Sequence, residues 1–95
     1  MHFLWYKSFN IVAKKWTFDP ELIIVDRGDT VILHITSIDV SHGFKLPVFG
    51  VYENLEPGET IDVEFIPDKM GEFLYSCSVY CGSGHDTMKG KFIVR

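Results

Sequence analysis

Residues 71–88 read GEFLYSCSVYCGSGHDTM. The first half alternates, with Phe73 and Tyr75 on one side and Leu74 and Ser76 on the other, which is the period of a strand rather than of a helix. Alternation stops at Cys77. Both cysteines of the chain, a histidine and a methionine then fall within twelve residues. The final strand begins near Met88 and runs into KFIVR at the end of the sequence. Cys77, Cys81, His85 and Met88 therefore share one loop joining two neighbouring strands. Gly82 and Gly84 let that loop fold tightly, because glycine adopts positive φ without steric cost.

Period two also governs the sequence outside this stretch. Val31, Leu33 and Ile35 alternate with Ile32, His34 and Thr36; Ile61, Val63 and Phe65 alternate with Asp62 and Glu64. Further strands are expected at about 8–14 and 21–26, with turn signals at FDP (18–20), DRGD (26–29), EPGE (56–59) and PDKMGE (67–72). No stretch has the pattern of an amphipathic helix. Short strands spaced by turns predict an all-β, antiparallel sandwich forming one domain over residues 1–95. Segment 42–57, HGFKLPVFGVYENLEP, is the least regular and is expected to be a long excursion over one end.

Composition fits such a domain: 46% of the 95 residues are hydrophobic, 23% charged, and 15% aromatic, which favours a β-rich core. The net charge of −4 argues against a nucleic-acid partner. No apolar run approaches the ~20 residues of a membrane helix. The opening MHFLWY is no signal peptide as it stands; it is either the stub of a removed leader or anchor, or the first strand.

Thiolate, imidazole and thioether on one loop make a soft, copper-favouring donor set. Zinc accepts cysteine and histidine but has little use for methionine. One loop rarely completes a coordination sphere, so a further strong ligand is expected from elsewhere. His2 lies at the terminus, and His34 sits mid-strand, where a packed or surface imidazole is the ordinary reading. His42, in SIDVSHGF, follows a strand that can end beside Cys77, and it is the expected distant ligand. Asp39 and Asp86 lie close in sequence to His42 and His85 and are candidates for orienting an imidazole. A Cys77–Cys81 disulfide, a Cys₂His₂ zinc site and a single labile copper site use the same residues and stay open on this ground alone. Ser76, Ser78 and Ser83 have no triad pattern around them.

The stretches DVSHGF (39–44), PGE (57–59), GEFLYSC (71–77) and the loop pattern C-x-x-x-C-x-x-x-H-x-x-M together resemble the CuA-type cupredoxin domain of cytochrome c oxidase subunit II and nitrous oxide reductase. The likeness runs from AKKWTFDPE at 13–21 to the end, and the second cysteine separates it from single-copper cupredoxins. It implies a Greek-key β-sandwich, cupredoxin-like, with a binuclear centre. Cys77 and Cys81 would bridge two copper ions, and His42 and His85 would bind one each. Met88 would be a weak axial ligand to one copper and the Val79 carbonyl to the other. In oxidase subunit II the position of Val79 is often an acid that reaches a magnesium, which valine cannot do.

The resemblance further implies an electron carrier rather than an enzyme by itself, acting alone or within an oxidoreductase complex such as a terminal oxidase. Its partners would be redox proteins, a cytochrome c donor and an oxidase or reductase acceptor, met outside the cytoplasm, with a native membrane tether allowed. A mononuclear copper-binding or copper-delivery protein is the alternative. Trp16 is either core packing or an electron-entry surface. Glu53, Glu56, Glu59, Asp62, Glu64, Asp68 and Glu72 form either a partner-steering acidic face or a solvated sheet. Phe44, Pro47, Val48 and Phe49 are expected near the metal, as docking patch or lid.

Overall fold

The computed structural model describes residues 5–95, so His2 and most of the MHFLWY opening lie outside the described residues. Among the described residues the strands are β1 (Tyr6–Lys14), β2 (Thr17–Asp19), β3 (Leu22–Val25), β4 (Thr30–Ser37), β5 (His42–Leu46), β6 (Val51–Leu55), β7 (Thr60–Phe65), β8 (Gly71–Ser76) and β9 (Lys89–Val94). They form two layers, a four-stranded sheet ordered β2-β1-β4-β7 and a five-stranded sheet ordered β3-β9-β8-β5-β6. The all-β sandwich read from the periodicity is the observed architecture. Val31, Leu33 and Ile35 point inward as expected, while Asp62 and Glu64 point to solvent.

Two expectations are corrected. The sandwich is not purely antiparallel: β1 runs parallel to β4, and β3 runs parallel to β9. Parallel neighbours need a crossover. It arises because the chain leaves the first sheet after β2, contributes β3 to the second, and returns for β4. Segment 42–57 is also no excursion. It is the β5–β6 hairpin, paired from His42↔Leu55 to Leu46↔Val51 and turned through a 3₁₀ turn at Pro47–Phe49. Gly50 follows that turn at φ 70°, a left-handed conformation that favours glycine. Periodicity missed β5 because His42, Gly43 and Phe44 are all buried: its outward face at Gly43 lies under the cysteine loop.

Aromatic rings fill the interlayer space in two groups. Phe18, Phe44 and Tyr75 meet with centroids 5.2–5.6 Å apart, and the Tyr75 hydroxyl donates to the Pro20 carbonyl at 2.7 Å. Burial, with the charge of Glu21 added, pushes the Tyr75 phenol well above its ordinary pKa. Gly90 makes room for this ring, since any Cβ there would collide with it. Phe49 packs against Phe65, Phe73 and Phe92 at 5.4–5.9 Å. Phe44 and Phe49 are therefore core residues, and the apolar patch expected near the metal does not form. The turn carrying Pro47 and Val48 closes the end of β5 away from His42.

The acidic residues are divided as well. Asp62 and Glu64 face outward from the four-stranded sheet, Glu72 from the five-stranded one, and Glu56, Glu59 and Asp68 lie in connections. No single acidic face results.

The β3–β4 turn is fastened by charge. Lys7 Nζ lies 2.7 Å from buried Asp29 and 3.1 Å from Asp26, and Asp29 also accepts the Asp26 N–H at 2.9 Å. The Lys7 hydrogen bond holds the Asp29 carboxyl below its ordinary range despite burial. A lowered native pKa stabilises the fold above the carboxylate range and loses that contribution as pH falls through the native value. Lys7→Met is therefore expected to lower the urea midpoint near neutral pH and to differ less from the parent at acid pH, once Asp29 is protonated in the native state. An equal gap at both pH values would contradict this account.

Candidate metal centre

The five-stranded sheet carries the site at one end. β8 ends at Ser76, the next residue is Cys77, and β9 starts one residue after Met88, so residues 77–88 bridge two adjacent strands. Met88 returns to the start of the loop, where its carbonyl accepts the Cys77 N–H at 3.2 Å. His42 opens β5, which pairs with β8 on its other side through Lys45↔Ser76. His42 thus begins a strand of the same sheet, rather than trailing the end of β4 as the sequence suggested.

All six sequence-predicted residues converge. Cys77 Sγ lies 3.4 Å from Cys81 Sγ and 2.9 Å from the Val79 carbonyl oxygen. Cys81 Sγ lies 3.7 Å from His85 Nδ1 and 3.8 Å from Met88 Sδ. One ligand atom from each of His42, Cys77 and Cys81 falls within 4.8 Å of the others. His42 and Met88 are 1% and 0% exposed, and both cysteines are buried free thiols. The sulfur separation is well beyond the ~2.05 Å of a disulfide.

Each donor has an identifiable support. His42 Nε2 donates to Asp39 Oδ1 at 2.8 Å. A carboxylate only accepts, so this bond leaves Nδ1 as a lone pair in the neutral ring. Among the described residues, His42 Nδ1 is the one buried side-chain polar atom with no hydrogen-bond partner. Burial alone would raise the Asp39 carboxyl. The Lys15 and Val40 N–H groups and His42 outweigh it and hold Asp39 below its ordinary value. Asp39 is thus the orienting acid, while Asp86 lies exposed on the 3₁₀ turn His85–Thr87. The Gly43 N–H donates to Cys77 Sγ at 3.4 Å, and a side chain on Gly43 would strike Ser78 and the Val79 nitrogen.

Trp16 has a role that neither sequence reading named. Its half-buried indole covers Gly82 and Gly84, and Nε1 donates to the Cys81 carbonyl at 3.2 Å. Gly82 also needs its φ of 126°, whereas Gly84 is small to admit the indole. Glycines at 82 and 84 were the only sequence signal for this contact.

Burial, followed by the neighbouring Cys77 sulfur, pushes the Cys81 thiol up to about 11. Two adjacent buried sulfurs, imidazole nitrogens, a thioether and a carbonyl fit a soft cation, which would displace the thiol protons. His34 is not part of this group; it hydrogen-bonds on the outer face of the other sheet.

A β-sandwich with such donors at one end defines a cupredoxin-type metal domain. The family model for the periplasmic domain of cytochrome c oxidase subunit II matches residues 5–94, and the chain belongs to that family. It is accordingly an extracytoplasmic domain. Cytochrome c oxidase subunit 2 of Thermus thermophilus is 33% identical over 85 residues, covering 90% of this chain and 63% of that protein. Nitrous-oxide reductase of Stutzerimonas stutzeri is 37% identical over 81 residues, covering 81% of this chain and 13% of that protein. The periplasmic domain of cytochrome oxidase subunit II from Bradyrhizobium japonicum shares the fold, with a TM-score of 0.83 at 24% identity over 93% of this chain and 83% of that one. The chain thus spans under two thirds of its oxidase relative and a small part of its reductase relative. Among the described residues no helix is long and apolar enough to cross a membrane.

The indole brace yields a direct test. Trp16→Leu is expected to cost about 1–3 kcal/mol, as loss of a partly buried ring. It should also speed amide hydrogen exchange in residues 77–88 at least tenfold, leaving β1–β4 protection unchanged. Uniform acceleration across both sheets would mean that Trp16 supports the core rather than the loop.

Proposed function

We propose that the domain is a one-electron carrier built on a dinuclear, dithiolate-bridged copper centre of the CuA type. The observation that carries the reading is the pair of buried sulfurs 3.4 Å apart with a ring nitrogen of His42 within 4.8 Å of both, in a residue whose Nδ1 has no hydrogen-bond partner. Cys77 and Cys81 would bridge the ions, His42 and His85 would each hold one, and Met88 Sδ and the Val79 carbonyl would be the weak axial donors. A single copper needs only one of the sulfurs, and zinc leaves Met88 without a purpose. Copper supplies reversible one-electron chemistry when bound to such donors.

The chain's own part is to hold the donors still. His42 is fixed by Asp39, the Cys77 sulfur by Gly43 N–H, and the loop by Trp16. A donor set that moves little between redox states lowers the barrier to electron transfer. Hydrogen bonds to the sulfur and the nature of the axial donor tune the potential. Val79 brings a carbonyl but no carboxylate, so the reading contains no magnesium at that position. Relatives named as an oxidase subunit and a nitrous-oxide reductase support a place between an electron donor, such as a cytochrome c, and an oxidase or reductase acceptor. In this electron-transfer role the domain is by itself a carrier rather than an enzyme.

Copper stoichiometry tests the assignment of ligands. The parent should bind two coppers per chain, and Cys81→Ser at most one. Met88→Leu should keep both and shift the midpoint potential. An emptied site in Met88→Leu, or one copper per chain in the parent, would overturn the scheme.

A further inference from the structure

The outer face of the four-stranded sheet carries a second chemical cluster, remote from the cysteine loop in the fold. His34 on β4 lies between Asp62 on β7 and Ser8 on β1. Its Nδ1 is 2.6 Å from Asp62 Oδ1 and its Nε2 is 3.0 Å from Ser8 Oγ. The acceptor-only carboxylate assigns the proton of the neutral ring to Nδ1, which turns the Nε2 lone pair toward the Ser8 hydroxyl. Ser8 must then donate, and the three groups make a continuous relay from hydroxyl to imidazole to carboxylate. Register places Asn10 directly opposite His34 and two residues along β1 from Ser8, on the same face. All four residues stand on paired strands, which hold geometry better than loops.

We propose that Ser8, His34 and Asp62 form a nucleophilic relay, with Ser8 an activated serine toward small acyl esters and fluorophosphonates. Serine becomes a nucleophile when a base within hydrogen-bond reach takes its proton and a third group orients that base. These roles fall to His34 Nε2 and Asp62. With an aryl ester, Ser8 Oγ bonds to the acyl carbon as the bond to the aryloxide breaks. The Ser8 proton passes through His34 Nε2 to the departing aryloxide, and water later releases the acid and restores the hydroxyl. With a fluorophosphonate, the Ser8 oxygen–phosphorus bond forms as the phosphorus–fluorine bond breaks, the Ser8 proton passes through His34 Nε2 to solvent as fluoride departs, and the adduct persists. Asn10, two residues along β1 on the same face, is the side-chain amide assigned to the developing oxyanion. The face is open to solvent, so the relay confers reactivity on Ser8 without an enclosed substrate pocket. Copper plays no part in it.

The test is covalent labelling of the whole protein with diisopropyl fluorophosphate, with and without added copper, read by intact mass and peptide mapping. One adduct is expected, on Ser8, forming at least tenfold faster than on exposed Ser78 or Ser83 and at the same rate in both preparations. Ser8→Ala should abolish that adduct, and His34→Gln or Asp62→Asn should slow it at least tenfold. Unchanged urea midpoints and copper uptake would show that these exposed substitutions leave the fold intact. Labelling spread evenly over surface serines, no labelling, or an unaltered rate in His34→Gln would each overturn the proposal. None of those results would bear on the copper centre.

Discussion

His42 Nδ1 is a buried nitrogen with no hydrogen-bond partner, on a ring that lies beside two buried thiols. Leaving such a group unsatisfied costs about 1–3 kcal/mol, and native interiors rarely contain one without a reason. The neighbouring structure keeps the nitrogen in place instead of relieving it. Asp39 occupies the opposite ring nitrogen and fixes the tautomer. Gly43 is reduced to a hydrogen so that Ser78 and Val79 can lie over the strand. Trp16 then presses the far side of the loop through Gly82 and Gly84. The site is a set of soft donors whose mutual fit a cation would complete.

The sandwich explains how so short a chain holds that arrangement. β8 and β9 are interior strands of the five-stranded sheet, paired along six register positions, and the loop between them inherits their rigidity. β5 flanks β8, so the distant histidine arrives from the same sheet rather than across the interlayer gap. Beneath the site, Phe18, Phe44 and Tyr75 interlock, and Phe44 lies two residues from His42 while Tyr75 lies two from Cys77. Core packing and donor placement are thus one problem. On the other layer the paired strands β1, β4 and β7 bring Ser8, His34 and Asp62 into line on a face open to solvent.

Much of this was legible beforehand because two signals are strong in sequence. Alternation marked β4, β7 and β8, whose outward positions face water, and the spacing of two cysteines, histidine and methionine marked the loop. The missed elements share a cause. β5 is covered on both sides, so its alternation vanished at Gly43 and Phe44. Parallel pairing of β1 with β4 depends on where β3 goes, which no local pattern records. Trp16 reaches the site from 65 positions away in sequence, through a contact to a backbone carbonyl that any residue at 81 would offer. Phe44 and Phe49 looked like surface aromatics beside a metal only because their hairpin was read as a loop.

The central claim is that two coppers share one electron across the Cys77 and Cys81 sulfurs. The most direct measurement is the electron paramagnetic resonance spectrum of the copper-loaded, mixed-valence protein. The account predicts a hyperfine pattern from an electron divided equally between two copper nuclei. A pattern from a single copper nucleus would contradict it.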